Sequence, residues 1–350
     1  NRKGWQPPPH FMSATTKNVW VLAARPGADA KIKPELFRKE EQELPELKDG
    51  EILARTLWVS VDPYLRSRFN NVASYVSPYE IGKPITSTGV VVVEQSRAEG
   101  VSVGQTLSGA VEWSDRFIAN ASSFTPVDKD AAPLSAYCGI LGLTGLSAYF
   151  PIDDIAQPKK GEVAFVSGAA GAVGSVVCQI LLNVHGCRVV GSAGSEDKVE
   201  WLRSLGVEAF NYKTEDTGAA LDRLAADGVD IYWDNVGGAT LEAVLDRMRS
   251  KGRVVSCGAI SQYQLPKEEM YGVRNLFQVV VKCLKMQGFL LGQYRARFAE
   301  GVTQLATWLR EGKLQNRETV VEGLDHIPDA LMGIFAGANT GKMVVHVGDV

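Results

Sequence analysis

Histidine and cysteine are scarce in this 350-residue chain, at four and five residues. His10, His185, His326 and His346 form no helical or hairpin pair with a cysteine, and no closely spaced four-cysteine lobe exists. A zinc site needs three or four Cys, His or carboxylate ligands converging on one point, so no metal is expected, catalytic or structural. Cys138, Cys178, Cys187, Cys257 and Cys283 are odd in number and make no C-x-x-C pair, which fits a reducing, cytoplasmic compartment. Long apolar runs are missing too. The longest uncharged stretch, 131–152, contains Pro133, Pro151 and several glycines and lacks the density of a membrane span. The chain does not open with a basic segment followed by an apolar one, so no secretion signal is expected. Nor does one sign of charge dominate: 37 basic against 40 acidic residues leave a net −3, which excludes a global basic field for nucleic acid.

What is present is a globular composition, with 45% hydrophobic and 22% charged residues, at a length that suggests two domains. Residues 1–11 are rich in proline and polar groups and Met12 stands where a native chain could begin, so 1–12 reads as a tag remnant or a flexible arm. From 18 to about 127 the pattern is short β-rich runs (18–23, 51–61, 89–94, 116–119) bounded by Gly, Pro, Asp and Asn, which predicts a compact barrel or sandwich. Beyond Lys160 strands at 162–167, 188–192, 209–212, 230–235 and 252–257 alternate with helices at 172–184, 196–205, 218–226 and 240–249. Such alternation predicts an α/β, doubly wound parallel sheet joined by right-handed crossovers. A long amphipathic helix over 295–311 and a last strand over 342–347 follow, and that strand is free to return to the first domain. Residues 277–284 read as an apolar strand late in the parallel sheet, an edge that invites pairing into a homodimer unless a helix or loop covers it.

The first strand of the parallel sheet runs into Gly168-Ala-Ala-Gly171-Ala-Val-Gly174 and then a helix. Backbone amides and the positive helix end can hold a pyrophosphate there. Gly171 allows close backbone approach to a ligand, and Gly174 allows the helix to pack on the strand. Ala169 replaces one glycine of the usual fingerprint, and an ordinary tight turn would look similar. The strand–turn–helix context favours a dinucleotide site. At the end of the second strand an NAD enzyme carries Asp or Glu for the ribose hydroxyls. Here the run is Gly191-Ser-Ala-Gly194-Ser195, then Lys198. A small loop, a hydroxyl and a lysine suit a 2′-phosphate, so NADP(H) is the expected cofactor, although Lys198 also reads as a solvated lysine on a helix face.

The segments Val61-Asp-Pro-Tyr-Leu-Arg66, Ala169-Ala-Gly-Ala-Val-Gly174, Asn211-Tyr-Lys213, Asp234-Asn-Val-Gly-Gly238, Cys257-Gly-Ala-Ile-Ser-Gln-Tyr263 and Asn339-Thr-Gly-Lys342 occur in this order. Together they resemble the zinc-independent branch of the medium-chain dehydrogenase/reductase superfamily, in particular its alkenal/one oxidoreductase group of prostaglandin, plant double-bond and curcumin reductases. The resemblance implies a GroES-like catalytic domain (13–140 and 325–350) and a Rossmann domain (141–324). It also implies NADPH-dependent reduction of the C=C bond of an enone or enal. Around the cofactor it implies Ala170, Gly171, Ala172 and Val173 at the pyrophosphate, and Gly194, Ser195, Lys198 and Tyr212 at the 2′-phosphate. Asn235 and Asn339 are implied at the ribose and C-terminal approach. Thr144, the turn Cys257, Gly258, Ala259 and Ile260, and Phe289, Leu290 and Leu291 fall at the nicotinamide end. Tyr64 and Tyr263 match substrate-pocket tyrosines. Leu65 stands where methionine is common and Leu143 where proline is common, apolar changes that bear on pocket shape.

Without a metal, charge building on the carbonyl oxygen during hydride transfer must be met by hydrogen-bond donors. Tyr263 follows a strand at the carboxyl edge of the sheet, where ligands bind, and is expected to be the main donor, with Tyr64 a second donor or a wall. Either tyrosine alone also reads as a packed aromatic. Two other functions remain open on the same residues: a zinc-free quinone reductase, and an NADPH-binding sensor or structural protein without turnover.

Overall fold

The computed structural model of the protein describes residues 15–72 and 74–350; the expected arm at 1–12 lies outside the described residues. The N-terminal part comprises β1 (Thr16–Leu22), β2 (Phe37–Glu43), β3 (Glu51–Ser60), β4 (Thr86–Ser96), β5 (Thr106–Glu112), β6 (Arg116–Asn120) and β7 (Phe124–Pro126), with one helical turn, α1 (Leu65–Arg68). β1 and β2 form an antiparallel hairpin of their own. β3, β4 and β5 run antiparallel at the centre of the second sheet, and β6 pairs with β3. Alternate residues of these strands meet in one core around Trp113, Phe69, Val91 and Phe117, the packing that a half-buried antiparallel sheet selects.

Next come α2 (Leu143–Pro151) and then the parallel unit: β8 (Val163–Val166), α3 (Ala172–Asn183), β9 (Arg188–Ala193), α4 (Glu196–Ser204), β10 (Glu208–Asn211), α5 (Thr217–Leu224), β11 (Val229–Asp234), α6 (Gly238–Leu245), β12 (Met248–Ser256), α7 (Gln278–Val281), β13 (Lys285–Gly288) and α8 (Phe298–Arg310). The strand order is β10-β9-β8-β11-β12-β13, all parallel. All four residues of β8 are buried, as expected where helices cover both faces. Two cores result, one on each face of the sheet. Phe165 and Tyr232 belong to one, Val166 and Trp233 to the other, following the alternation of side chains along a strand.

The chain then returns. β14 (Glu318–Glu322), α9 (Ile327–Ala336) and β15 (Lys342–His346) follow, and β15 pairs antiparallel with β3 while β14 adds to its outer edge. Met343 and Val345 join the core of the first sheet. β14 precedes the expected division at 324/325 and already belongs to the first sheet.

Several local expectations shift. The helix expected over 240–249 ends at Leu245, because Met248 already pairs with Val229 in the sheet. The long helix begins only at Phe298, after a 3-10 stretch over Leu291–Arg297. The apolar strand expected over 277–284 is not a strand. Its centre is the short helix α7, and strand pairing starts at Lys285. Lys282 donates to the Leu245 and Asp246 carbonyls at the end of α6, and Cys283 takes a left-handed conformation that ends the turn. These anchors lie more than thirty residues away along the chain, so β-branched propensity at Val279, Val280 and Val281 is overridden.

Gly341 immediately precedes β15, has φ +70°, and a Cβ there would stand 2.0 Å from the Arg317 carbonyl oxygen. Gly312 has φ +72° with open space around it. Gly312→Ala is expected to cost about 1–2 kcal/mol for the conformation alone. Gly341→Ala is expected to exceed about 3 kcal/mol because strain and collision add. Denaturant unfolding of both variants measures the difference, and equal losses would show that the close approach at Gly341 relaxes freely.

Candidate active site

The β8–α3 turn is built by close approach. Gly168 turns with φ +60°, Gly171 donates its N–H to the Gly168 carbonyl at 3.0 Å, and α3 starts at Ala172. A Cβ on Gly174 would lie 2.4 Å from Gly168 O, so the first turn of α3 rests directly on the strand end. Ala169 fills the space above Gly191 of β9, where an added Cβ would meet the Ala169 methyl at 2.8 Å. Alanine in place of the usual glycine is therefore matched by a glycine on the neighbouring strand. The amides of Ala170, Ala172 and Val173 have no partner among the described residues and, next to the positive helix end, make a candidate anion cradle, whereas the Gly171 amide is spent on the turn itself and Gly171 offers only close backbone approach.

Gly194 and Ser195 close β9 and lead into α4, of which Ser195 is the N-cap. The Tyr212 hydroxyl occupies the place where a Gly194 side chain would be, 2.8 Å from an added Cβ. Lys198 reaches across to the carbonyl of Gly337 at the end of α9, at 2.7 Å. Burial lowers its pKa, and Lys213 lowers it further. The carboxylate of Glu196 is engaged by Asn211 at 2.8 Å. Lys198 and nearby Lys213, with the hydroxyls of Ser195 and Tyr212, thus gather beyond the end of β9 as a candidate 2′-phosphate corner.

At the other end three loops are laced together. Asn235 donates its side-chain N–H to Ser167 O at 2.7 Å, and its backbone N–H to Ser167 Oγ at 3.1 Å. The N–H groups of Cys257 and Gly258 both donate to Asp234 O, and that of Ile260 to Asn235 O. The Asp234 carboxylate accepts from Tyr232 Oη and from the backbone of Val236 and Gly237. Burial nevertheless raises its pKa. Phe289 packs against Trp233 and Leu291 against the same core, while Leu290 is exposed. Thr144 lies in the first turn of α2 with its Oγ1 buried and without a hydrogen-bond partner among the described residues. The C-terminal approach is direct: Gly341 N–H donates to Ala170 O at 2.8 Å, and Asn339 Nδ2 donates to Gly341 O at 2.7 Å.

Tyr263 closes its own turn. Its hydroxyl oxygen accepts the Ala259 N–H at 3.0 Å, which leaves the hydroxyl proton to be donated. Burial raises its pKa. Tyr64 caps α1 beside Asp62, and burial, followed by the Asp62 charge, holds its pKa far above the ordinary tyrosine value. Tyr75 carries no sequence motif; it is largely exposed on the loop before Tyr79, and partial desolvation, followed by Tyr263 and Cys257, raises its pKa. The only sequence signal is an aromatic in a polar loop.

The residues fit NADP(H). The cradle offers amides, the far corner offers cations, and the orphaned Thr144 hydroxyl lacks a partner that a bound ligand would supply. Among the described residues no group of three or more His, Cys, Asp or Glu is placed to hold a metal ion, and no helix is long and apolar enough to cross a membrane.

Residues 18–127 match the family described as the N-terminal domain of oxidoreductase, and residues 172–308 the one described as zinc-binding dehydrogenase. A putative NADP-dependent oxidoreductase of Bacillus subtilis is 44% identical over 89% of this chain and 93% of its own length. The 2-alkenal reductase (NADP+-dependent) of Nicotiana tabacum is 44% identical over 85% of this chain and 88% of its own. Among solved structures, CurA from Vibrio vulnificus in complex with NADPH is 34% identical, with a TM-score of 0.89 over 95% of this chain and 100% of that one. Sheet order, glycine cradle and these relatives agree: the chain belongs to the zinc-independent alkenal/one oxidoreductase group of the medium-chain dehydrogenase/reductase superfamily.

Proposed function

We propose that this chain reduces the carbon–carbon double bond of α,β-unsaturated ketones and aldehydes with NADPH. The observation that carries the reading is the bonded path from Tyr263 through the 257–260 turn, Asp234 and Asn235 to Ser167, where β8 runs into the glycine turn. The amides of Ala170, Ala172 and Val173 would hold the pyrophosphate, with Gly171 allowing its close approach, and Ser195, Lys198 and Tyr212 would hold the 2′-phosphate. Asn235 and Asn339 would hold the ribose side, with Thr144, the 257–260 turn and 289–291 around the nicotinamide. NADPH, when bound, supplies the hydride that adds to the β-carbon. Charge then builds on the carbonyl oxygen, and the chain meets it with tyrosine donors in a site of low dielectric. Tyr263 is the main donor: Ala259 N–H polarises its oxygen while its proton stays free to donate. Tyr64 is the second, and Tyr75 lines the pocket. Burial raises the pKa of Tyr64 and of Tyr263, so both keep the donor proton at neutral pH. NADPH oxidation with a panel of alkenals, alkenones and quinones, with product analysis for C=C reduction, tests this reading. Turnover of quinones alone, or of nothing, would reject it.

The same reading divides the chain into a catalytic domain at 13–140 plus the C-terminal return, with the Rossmann domain from 141; the return starts by Glu318, where β14 enters the first sheet. All five thiols are free, in keeping with a cytoplasmic setting. A homodimer is proposed through β13, the edge of the parallel sheet. Beside it Leu276, Phe277 (72% exposed), Val280 and Val281 leave an apolar surface uncovered. Light scattering at micromolar concentration should return twice the chain mass, and the mass of one chain would discard the dimer.

Lys198→Ala should raise the KM for NADPH while leaving that for NADH nearly unchanged, because one charge-assisted contact is worth roughly 1.5–3 kcal/mol. Equal efficiency of the two cofactors in the parent would overturn the 2′-phosphate assignment.

Tyr263→Phe should lower enone turnover more than it weakens NADPH binding. A lost donor to a developing oxyanion costs about 2.7–4 kcal/mol, and the lower end is expected because Tyr64 compensates in part. Tyr64→Phe should be milder and the double variant worse than either. Activity of the parent should not fall through tyrosine ionisation between neutral pH and the ordinary tyrosine value of about 10, since the raised pKa values preserve the protonated donor. Full turnover by Tyr263→Phe at saturating enone would make Tyr263 a wall only.

A further inference from the structure

Lys342 and Asp62 are charged residues buried to 3% and 4% exposure where the first sheet meets the cofactor cradle. Lys342 Nζ lies 3.1 Å from Asp62 Oδ1 and donates to Val61 O and Met343 O, each at 2.7 Å. Its three protons are matched by three acceptors. The other Asp62 oxygen, Oδ2, accepts from Ser60 Oγ, which also lies 3.2 Å from Cys138 O. The Lys342 stem passes so close to Gly139 that an added Cβ there would stand 3.0 Å from its Cγ.

Three chain segments therefore converge on one ion pair, and each runs at once into the site. Asp62 is two residues from Tyr64, and its carbonyl accepts the Leu65 N–H at 3.1 Å as α1 begins. Lys342 directly follows Gly341, which bonds the cradle at Ala170 O, with Asn339 behind it. Cys138 and Gly139 lead into α2 and Thr144. Such a pair gains little stability over a neutral pair of similar volume, because removing both charges from water costs about what their attraction returns. What a charge pair with saturated hydrogen bonds does provide is a single geometry. Neither partner can slide without leaving a buried charge unmatched.

We infer that Asp62 and Lys342 are positioning residues that set the substrate tyrosine Tyr64 in register with the cofactor cradle. The inference rests on the proposed roles of Tyr64 and Asn339 as donor and cofactor contact. Asp62 also contributes to keeping Tyr64 protonated, so its charge serves the donor directly.

The test compares the full-length parent, Lys342→Met, and the double variant Asp62→Asn/Lys342→Met, which removes both charges at similar volume. The readouts are thermal unfolding, NADPH affinity from quenching of tryptophan fluorescence, and kcat for one good enone at saturating NADPH. Lys342→Met alone should be strongly destabilised, since it strands a buried carboxylate. The double variant should recover most of the melting temperature. It should nonetheless bind NADPH roughly tenfold more weakly, and its kcat should fall about tenfold or more even with cofactor saturating, as expected for misplaced reacting groups. A double variant with parental affinity and kcat would overturn the inference, leaving a structural pair. So would a double variant as unstable as the single one. Full kcat restored by saturating NADPH would also overturn it, since only the cofactor side would then depend on the pair. If the parent reduces no enone at all, the proposed activity fails, while the NADPH arm still decides whether the pair sets the cradle.

Discussion

Residues 339–342 must lie within backbone hydrogen-bond reach of the β8–α3 turn while belonging to the sheet of the other domain, and much else follows from that. Gly341 bonds Ala170 and at once enters β15, which pairs with β3. Only glycine fits between Arg317 and the cradle with a positive φ. Because β15 is held by β3, the position of the cradle relative to Tyr64, four residues beyond the end of β3, depends on the same few bonds. The distance from the β8–α3 turn to Tyr64 is therefore set by covalent chain, by backbone pairing and by the one buried side-chain pair of Lys342 and Asp62. That is the kind of support a reacting geometry requires, since small misplacements carry large losses in rate.

Carrying out the chemistry without a metal puts the burden on neutral donors. A tyrosine is suited to this only if it stays protonated and its proton is free. Burial supplies the first condition for Tyr64 and Tyr263. The second depends on what else the oxygen does. At Tyr263 the oxygen takes a backbone N–H and so uses its acceptor capacity locally. The same low dielectric that strengthens these donors makes stray polar groups costly. The site answers at Asp234, whose Oδ1 accepts from Tyr232 Oη in β11 and from the Val236 and Gly237 N–H groups of the loop it shapes. Exceptions remain among the described residues: Thr144 Oγ1 at the start of α2, and Trp233 Nε1 and Ser256 Oγ toward the ends of β11 and β12, are buried and unpaired.

The parallel unit was legible in the sequence because its signals are local. An apolar run such as Val163–Val166, a glycine turn and an amphipathic stretch each sit within a dozen residues, and all reappear as β8, the cradle and α3. Elements whose cause is distant were not legible. β2 reads Phe-Arg-Lys-Glu-Glu-Gln-Glu, a charged run with no apolar alternation, and it is a strand only because β1 pairs with it residue for residue. α7 reads as a strand and is held as a turn by Lys282 and Gln278 reaching the end of α6. At the site the motif-borne residues were found. Tyr75 was not, because its loop carries no motif and its neighbours, Tyr64 and Cys257, are far from it in sequence or in another domain. Lys342 lay in a quoted motif, yet its burial against Asp62 is a fact of three dimensions.

These observations change how the two domains should be regarded. The stretch 337–342 makes three distant contacts in six residues: Gly337 O accepts from Lys198, Gly341 N–H donates to Ala170 O in the β8–α3 turn, and Lys342 donates to Val61 O in the segment that carries Tyr64. Lys198 at present spends its charge on the carbonyl end of α9, where the partial negative charge of the helix terminus lies. A 2′-phosphate, with a full charge, competes for the same ammonium on better terms. On the proposed assignment, arrival of the cofactor would redistribute bonds along the segment that holds Tyr64, and cofactor choice and substrate placement would be tied through one short piece of chain.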